Sequence, residues 1–265
     1  KSTFSKTVYF FFYLRDYFSQ YLVKIMNSVY WYNDELYVDF LSDQAKEDGR
    51  PHEMALNDFC DYLLDLFSVE AFMGDSKSYL KWQQQRLQAK PKLATLAMVW
   101  LNDVSQAMDR GQWLDVFGML YEDMYLTAGK ASKTGQFFTP ESVSDLMSTI
   151  IAPGKIEAPS AKIKGSRVND CAAGSGRLLL AHYMEVSKLN PSAGRRYQYI
   201  AQDSDPLVCK MCALNMMVHG MNGKVICQDT LAQSTPSAIY CINEIRYPFS
   251  TPYYSVRIKS GNPAK

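Results

Sequence analysis

Asp170-Cys-Ala-Ala-Gly174-Ser175-Gly176 has the composition of a backbone cradle for a ligand. Residues without bulky side chains let a bound group approach the main chain, and the free N–H groups at the start of the helix that follows favour polar or anionic atoms. No Gly-Lys-Ser/Thr follows, so the segment is not a P-loop. Leu179 stands where the dinucleotide fingerprint needs its third glycine, so it is not that motif either. Two further acids, Asp203 in Gln202-Asp203 and Asp229 in Gln228-Asp229-Thr230, close later apolar runs. If those runs are parallel strands, every strand presents its carboxyl end to one crevice, and a carboxylate there can accept both hydroxyl protons of a ribose. Each acid taken singly also reads as a turn or helix cap, as Asp205-Pro206 does, and the glycine segment also reads as a tight strand-to-helix turn.

The elements that would position these residues begin after residue 150. A Pro-rich connector covers 151–160, followed by strand 166–170, helix 177–189, strand 197–202, helix 206–219, strand 224–228 and strand 238–243. Strands alternating with helices imply an α/β fold with a parallel sheet and right-handed crossovers. Before it, Met54, Phe59, Leu63, Leu66 and Phe67 recur at helical spacing, as do residues in 93–108 and 113–126, so residues 1–130 read as an all-helical N-terminal domain and 131–265 as a second domain. Thr139-Pro140 is a helix start, with Val143, Leu146, Met147, Ile150 and Ile151 as the expected buried stripe. The aromatic-rich stretch 8–32 reads as packing.

The chain of 265 residues, 47% hydrophobic and 21% charged, is long enough for a substantial core and excludes a disordered or low-complexity polymer. Its net charge of +1 hides an asymmetry. Residues 1–150 carry 14 Lys and Arg against 20 Asp and Glu, and residues 151–265 carry 14 against 7. The basic second half suits a polyanionic partner as well as a solvated surface. Six cysteines without zinc spacing read as reduced core thiols in the cytoplasm, with no metal, and the Cys209–Cys212 pair lies within a helix. The most apolar N-terminal run, 9–14, is far short of the ~20 residues that span a bilayer, so no membrane partner is expected.

The motifs and their order resemble a known family. Gly135-Gln136-Phe-Phe138-Thr139-Pro140, Asp170 to Gly176, Ala-Gln-Asp203-Ser-Asp-Pro206 with Asn215 and His219-Gly220, and Gln-Asp229-Thr-Leu231 look like the modification subunit of type I restriction-modification systems, the N6-adenine DNA methylases. Asp115-Val-Phe-Gly118 with Tyr121-Glu122 is similar to the helix preceding the Phe-Thr-Pro motif in that family. The resemblance implies a doubly wound, mostly parallel sheet of the class I, Rossmann-like methyltransferase kind, and S-adenosylmethionine as cofactor. Gln136, Phe138, Thr139 and Pro140 would then cover the methionine and adenosine side. Asp170, Gly174, Ser175 and Gly176 would line the methionine end, Asp203 would hold the ribose, and Asp229 would contact the adenine.

Double-stranded DNA, a specificity subunit and a restriction subunit are the implied partners. The family's Asn/Asp-Pro-Pro-aromatic motif is expected at the end of the fourth strand, where this chain has Asn243-Glu244-Ile245-Arg246; Asn243 is the residual counterpart of the catalytic Asn. The expectations are therefore adenine-N6 methyl transfer by a domain shortened at its C-terminus or, alternatively, a catalytically degenerate relative that binds cofactor, DNA or a partner subunit.

Overall fold

The computed structural model describes residues 34–69, 76–126, 138–151, 167–189, 197–244 and 254–260. Helices α1 (Asp34–Glu47), α2 (Ala55–Leu66), α3 (Ser76–Ala89), α4 (Pro91–Asp109) and α5 (Val116–Tyr121) come first, and α5 runs into a π-helical turn, Glu122–Leu126. Their chemistry is local. Pro91 opens α4 with a preset φ and no N–H to leave unpaired. In α2, Leu56, Phe59, Cys60 and Leu63 form one buried face. Next come α6 (Glu141–Ile151), β1 (Arg167–Asp170), α7 (Arg177–Leu189), β2 (Gln198–Asp203), α8 (Pro206–Val218), β3 (Gly223–Cys227), β4 (Ala238–Ile242) and β5 (Val256–Ser260).

The sheet order is β1-β2-β3-β4-β5. The β1–β2 and β2–β3 pairs are parallel, as expected for strands joined through α7 and α8, whereas β4 and β5 pair antiparallel. The expectation of a doubly wound, mostly parallel sheet is therefore corrected to a mixed sheet whose strand order does not reverse among the described residues. The physical reason lies between β3 and β4. Residues 228–237 hold no helix, and a parallel return needs a crossover of about a dozen residues or more, usually helical. Without one, the chain folds straight back and β4 runs the other way.

Helix α8 is the centre of the packing. Its residues Cys209, Met211, Cys212, Leu214, Met216 and Met217 are all buried, as a helix apolar on every side must be. It contacts α2 on one side and β2, β3 and β4 on the other. Tyr199, Ala201, Val225, Tyr240 and Ile242 share the buried face of the sheet and join Trp100, Phe117 and Phe59 in one continuous cluster. The helices of 34–126 and the sheet thus share a core; the expected division at residue 130 falls outside the described residues. Among those described, no helix is long and apolar enough to cross a membrane.

Helix α6 departs from its sequence pattern. It packs against α7, but the residues it buries are Ser144 and Ser148. Val143, Leu146, Met147, Ile150 and Ile151, expected to be buried, are exposed. Small serines permit close helix approach, and periodicity identifies an apolar stripe without fixing which face meets a neighbour.

His219 ties the last turn of α8 to the loop before α5. Its Nδ1–H donates to the Asn215 carbonyl at 2.8 Å, and its Nε2 accepts the Leu114 N–H at 3.3 Å. A carbonyl only accepts and an amide N–H only donates, so the ring must be neutral. Burial accordingly pushes its pKa from 6.5 down to about 4. The unfolded chain takes up a proton first, so this contribution to stability is complete above pH 6.5 and is lost as pH falls toward about 4. His219→Gln should flatten the pH dependence of the unfolding free energy across that window; denaturant titrations of both proteins read the slope, and equal slopes would show that His219 does not set it.

A candidate ligand site at the carboxyl edge of the sheet

Because β1, β2 and β3 are parallel, Asp170, Asp203 and the turn at Asp229 lie along one edge. Asp203 stitches that edge together. Its Oδ2 accepts the Gly174 N–H and its Oδ1 accepts the Asp205 N–H, each at 3.0 Å. Its carbonyl accepts the Gln228 N–H at 2.8 Å. Thr230 adds a hydroxyl bond to the Cys171 carbonyl at 3.0 Å. Three strand ends are held in fixed relation by these bonds.

Asp170 accepts the Ala172 N–H through Oδ1 at 3.1 Å, whereas its Oδ2 is buried with no hydrogen-bond partner among the described residues. Burial raises its pKa, the Ala172 bond opposes that, and the nearby charge of Asp203 adds to it. A buried acceptor without a donor costs free energy and invites one. Asp229 is exposed, and its Oδ1 accepts the Leu231 and Ala232 N–H groups at 3.0 and 2.9 Å, so this carboxylate caps its own turn.

Gly174 has φ +56°, and a Cβ there would come within 2.9 Å of the Phe138 ring. Close approach and a left-handed backbone together require glycine. The crevice between this turn and the arm preceding α6 is lined by Phe138, Thr139, Ala172, Gly174, Arg177 and Leu178 and has a volume of about 30 Å³. That is room for one water. The Phe138 ring lies against Gly174, edge-on to Tyr121 at 5.3 Å.

Behind the crevice sits a polar cluster that joins motif residues named above, Asp115, Glu122, Ser175 and Asn215, to Arg177, a junction the sequence reading did not anticipate. Asp115 caps α5 through the Gly118 N–H at 2.8 Å and is completely buried. Its Oδ1 also accepts from Asn215 Nδ2 at 2.6 Å, and its Oδ2 accepts from the Ser175 hydroxyl and from Arg177 Nε, the latter at 2.7 Å. Arg177 continues outward in a two-pronged bond to Glu122 at 2.9 and 3.0 Å and a longer one to the Thr139 carbonyl at 3.4 Å. Burial works against its charge, but Asp115 and Glu122 outweigh that and hold its pKa above the usual value. An Asp-x-x-Gly helix start and an Arg directly after the glycine turn were the available signals.

The expected residues thus divide. Phe138, Thr139 and Gly174 line the crevice, while Asp170, Gly176 and Asp203 belong to the strand ends and turn beside it, with Asp229 on the same edge. Ser175 is in the turn, with its hydroxyl committed to Asp115. Pro140 is exposed, and its carbonyl accepts the Val143 N–H, so α6 starts one residue later than expected. Gln136 lies outside the described residues.

Asn243 is elsewhere. The antiparallel β4 carries it to the opposite edge, beside the first residue of β3. Its Nδ2 donates to the Met217 and Met221 carbonyls and its Oδ1 accepts the Ser255 N–H, which locks the turn after α8 to β5. Glu244, which stands in the stretch where the Asn/Asp-Pro-Pro-aromatic motif is expected, pairs with Arg257 at 3.2 Å at that same far edge.

Residues 112–262 match the family model described as N-6 DNA Methylase. Over 154 residues the chain is 34% identical to the type I restriction enzyme MpnII methylase subunit of Mycoplasma pneumoniae, covering 54% of this chain and 26% of that protein. Over 118 residues it is 25% identical to the type I restriction enzyme MjaIX methylase subunit of Methanocaldococcus jannaschii, covering 44% and 19%. The chain therefore spans only about a quarter and a fifth of the length of these curated relatives. A crystal structure of the methyltransferase subunit of a type I restriction-modification system from Streptococcus thermophilus aligns with 84% of this chain and 47% of its own, at 23% identity and a TM-score of 0.36.

The tightest constraint is at Gly118, where a Cβ would sit 2.0 Å from Asp115 Oδ2 and 2.9 Å from the Ser175 hydroxyl. Gly118→Ala should lower the unfolding free energy by about 3 kcal/mol through overpacking and lost hydrogen bonds. Chemical denaturation measures this, and a loss below about 0.5 kcal/mol, the scale of an ordinary surface change, would contradict the close approach.

Proposed function

Since the chain belongs to the N-6 DNA methylase family, we propose that it is the cofactor-binding part of an S-adenosylmethionine-dependent adenine-N6 DNA methyltransferase, the modification subunit of a type I restriction-modification system. The observation that carries this reading is the convergence of Asp170, Asp203 and the Gly174-Ser175-Gly176 turn at one sheet edge, with Asp170 Oδ2 buried and unpartnered among the described residues. The chemistry of the donor set fits the cofactor. Asp203 retains acceptor capacity for the ribose hydroxyls, and Asp170 offers an acceptor for the amino group of the methionine moiety. The turn supplies backbone N–H groups, Phe138 a ring face, and Asp229 an acid on the adenine side.

Bound S-adenosylmethionine supplies an electrophilic methyl group. The role of this chain's residues is to bind and orient it: Asp203 fixes the Gly174 turn before the ligand arrives, so little ordering cost remains to be met on binding. DNA as substrate is supported by the excess of Lys and Arg in residues 151–265. A specificity subunit and a restriction subunit are the partners that this reading assigns.

A second reading has its own observation. Asn243 is fully engaged in structural hydrogen bonds on the far edge of the sheet, so it is not proposed as a catalytic residue, and the chain acts as a relative that binds cofactor, DNA or a partner subunit without transferring a methyl group. Isothermal titration with S-adenosylmethionine tests the shared cofactor claim. Saturable binding is expected, and Asp203→Ala should weaken it by roughly 10- to 100-fold, the scale of lost hydrogen bonds to a charged acceptor at about 1.5–3 kcal/mol each. Unchanged affinity removes Asp203 from the site. Methyl incorporation into adenine of duplex DNA, with a specificity subunit supplied, separates the readings: incorporation supports the first, and binding without transfer the second.

A further inference from the structure

Arg177 joins two parts of the molecule that sequence order keeps apart. Its Nε reaches Asp115 at 2.7 Å and its two terminal nitrogens straddle Glu122 at 2.9 and 3.0 Å, and both acids belong to the helical part of the chain. On its other side the same guanidinium reaches the Thr139 carbonyl at 3.4 Å and lies 5.4 Å from the centre of the Phe138 ring. We propose that Arg177 is a positioning residue for the S-adenosylmethionine site, fixing the Phe138–Thr139 arm against the Gly174 turn by means of the geometry it takes from Asp115 and Glu122. The inference rests on the cofactor reading given above.

Three features support it. First, the guanidinium plane is over-determined. A planar fork bound at Nε by one carboxylate and at both terminal nitrogens by another has no rotational freedom left, which a lysine ammonium in the same place would retain. Second, Phe138 is clamped between partners, with Tyr121 edge-on at 5.3 Å, Arg177 facing its ring, and Gly174 so close that a Cβ would touch it at 2.9 Å. The ring's position is therefore set by the same residues that set the turn. Third, Ser175 in that turn bonds the same Asp115 carboxylate that holds Arg177. One buried acid thereby fixes both walls of the crevice. The helical segment carrying Asp115 and Glu122 accordingly belongs to the ligand site, although none of its residues lines the crevice itself.

The test is a double-mutant cycle on the whole chain, read by calorimetric titration with S-adenosylmethionine and with S-adenosylhomocysteine. Arg177→Lys keeps the charge opposite Asp115 but loses the fork to Glu122 and the Thr139 bond. It should weaken both ligands by about tenfold, and by less than about twofold when introduced into Phe138→Ala, because coupled residues are non-additive. A general loosening of the fold would instead act equally in both backgrounds. Glu122→Gln, at a half-exposed position, releases the guanidinium while leaving the Asp115 bond intact and should weaken binding about threefold with the same dependence on Phe138. It carries the test if Arg177→Lys does not fold. Wild-type binding with unchanged affinity in the folded variants, or effects that simply add to Phe138→Ala, overturns the proposal and leaves the cofactor reading standing. Absence of wild-type binding overturns the cofactor reading and this inference with it.

Discussion

A carboxylate with no access to water is stable only if its hydrogen-bonding capacity is met from within the protein. Asp115 meets it with donors from Gly118, Ser175, Arg177 and Asn215. Those donors come from α5, the glycine turn, the start of α7 and the middle of α8, so the requirement of one acid fixes four segments at once. Asn215 reinforces this by giving its second amide hydrogen to the Ser175 carbonyl at 2.9 Å. The helices before residue 130 and the sheet after 166 are consequently not separable at this point. Loss of any neutral donor leaves part of the buried carboxylate unmet, and loss of Arg177 leaves its charge uncompensated, which is why a single added methyl at Gly118 reaches so far.

The carboxyl edge shows the opposite economy. Asp203 is not saturated: each oxygen accepts one backbone N–H and keeps capacity for another. Asp170 keeps one oxygen without a donor. Fully met acids behind the turn and incompletely met acids in front of it are the arrangement expected of a preorganised ligand site, in which rigid support lies beneath and spare acceptors face the ligand. Phe138 stands in front of the turn, its ring held beside Gly174 by Tyr121 and Arg177.

Much of this was legible in the sequence, and the failures have identifiable causes. The acids at successive strand ends, the glycine turn and the first three strands could be read because parallel topology converts sequence order directly into one edge. The reversal at β4 was missed, although its signal was present: residues 228–237 contain no helical pattern, and a crossover without a helix does not reach a parallel neighbour. That single reversal carried Asn243 from the expected catalytic edge to the opposite one. The α6 stripe failed for a different reason, since Ser144 and Ser148 rather than the apolar residues face the core. Asp115 was invisible as a hub because its partners other than Gly118, namely Ser175, Arg177 and Asn215, are distant in sequence, and side-chain geometry rather than spacing brings them together.

A ligand at this site must meet the carboxyl edge of β1 to β3. Backbone amide chemical shifts recorded while S-adenosylhomocysteine is added to the isotopically labelled chain read that contact residue by residue. Gly174, Ser175, Gly176 and the residues beside Asp170 and Asp203 should shift together with Phe138, while Asn243 and Ser255 stay in place. Shifts concentrated at Asn243 and Ser255, or none at the glycine turn under saturating ligand, would contradict it.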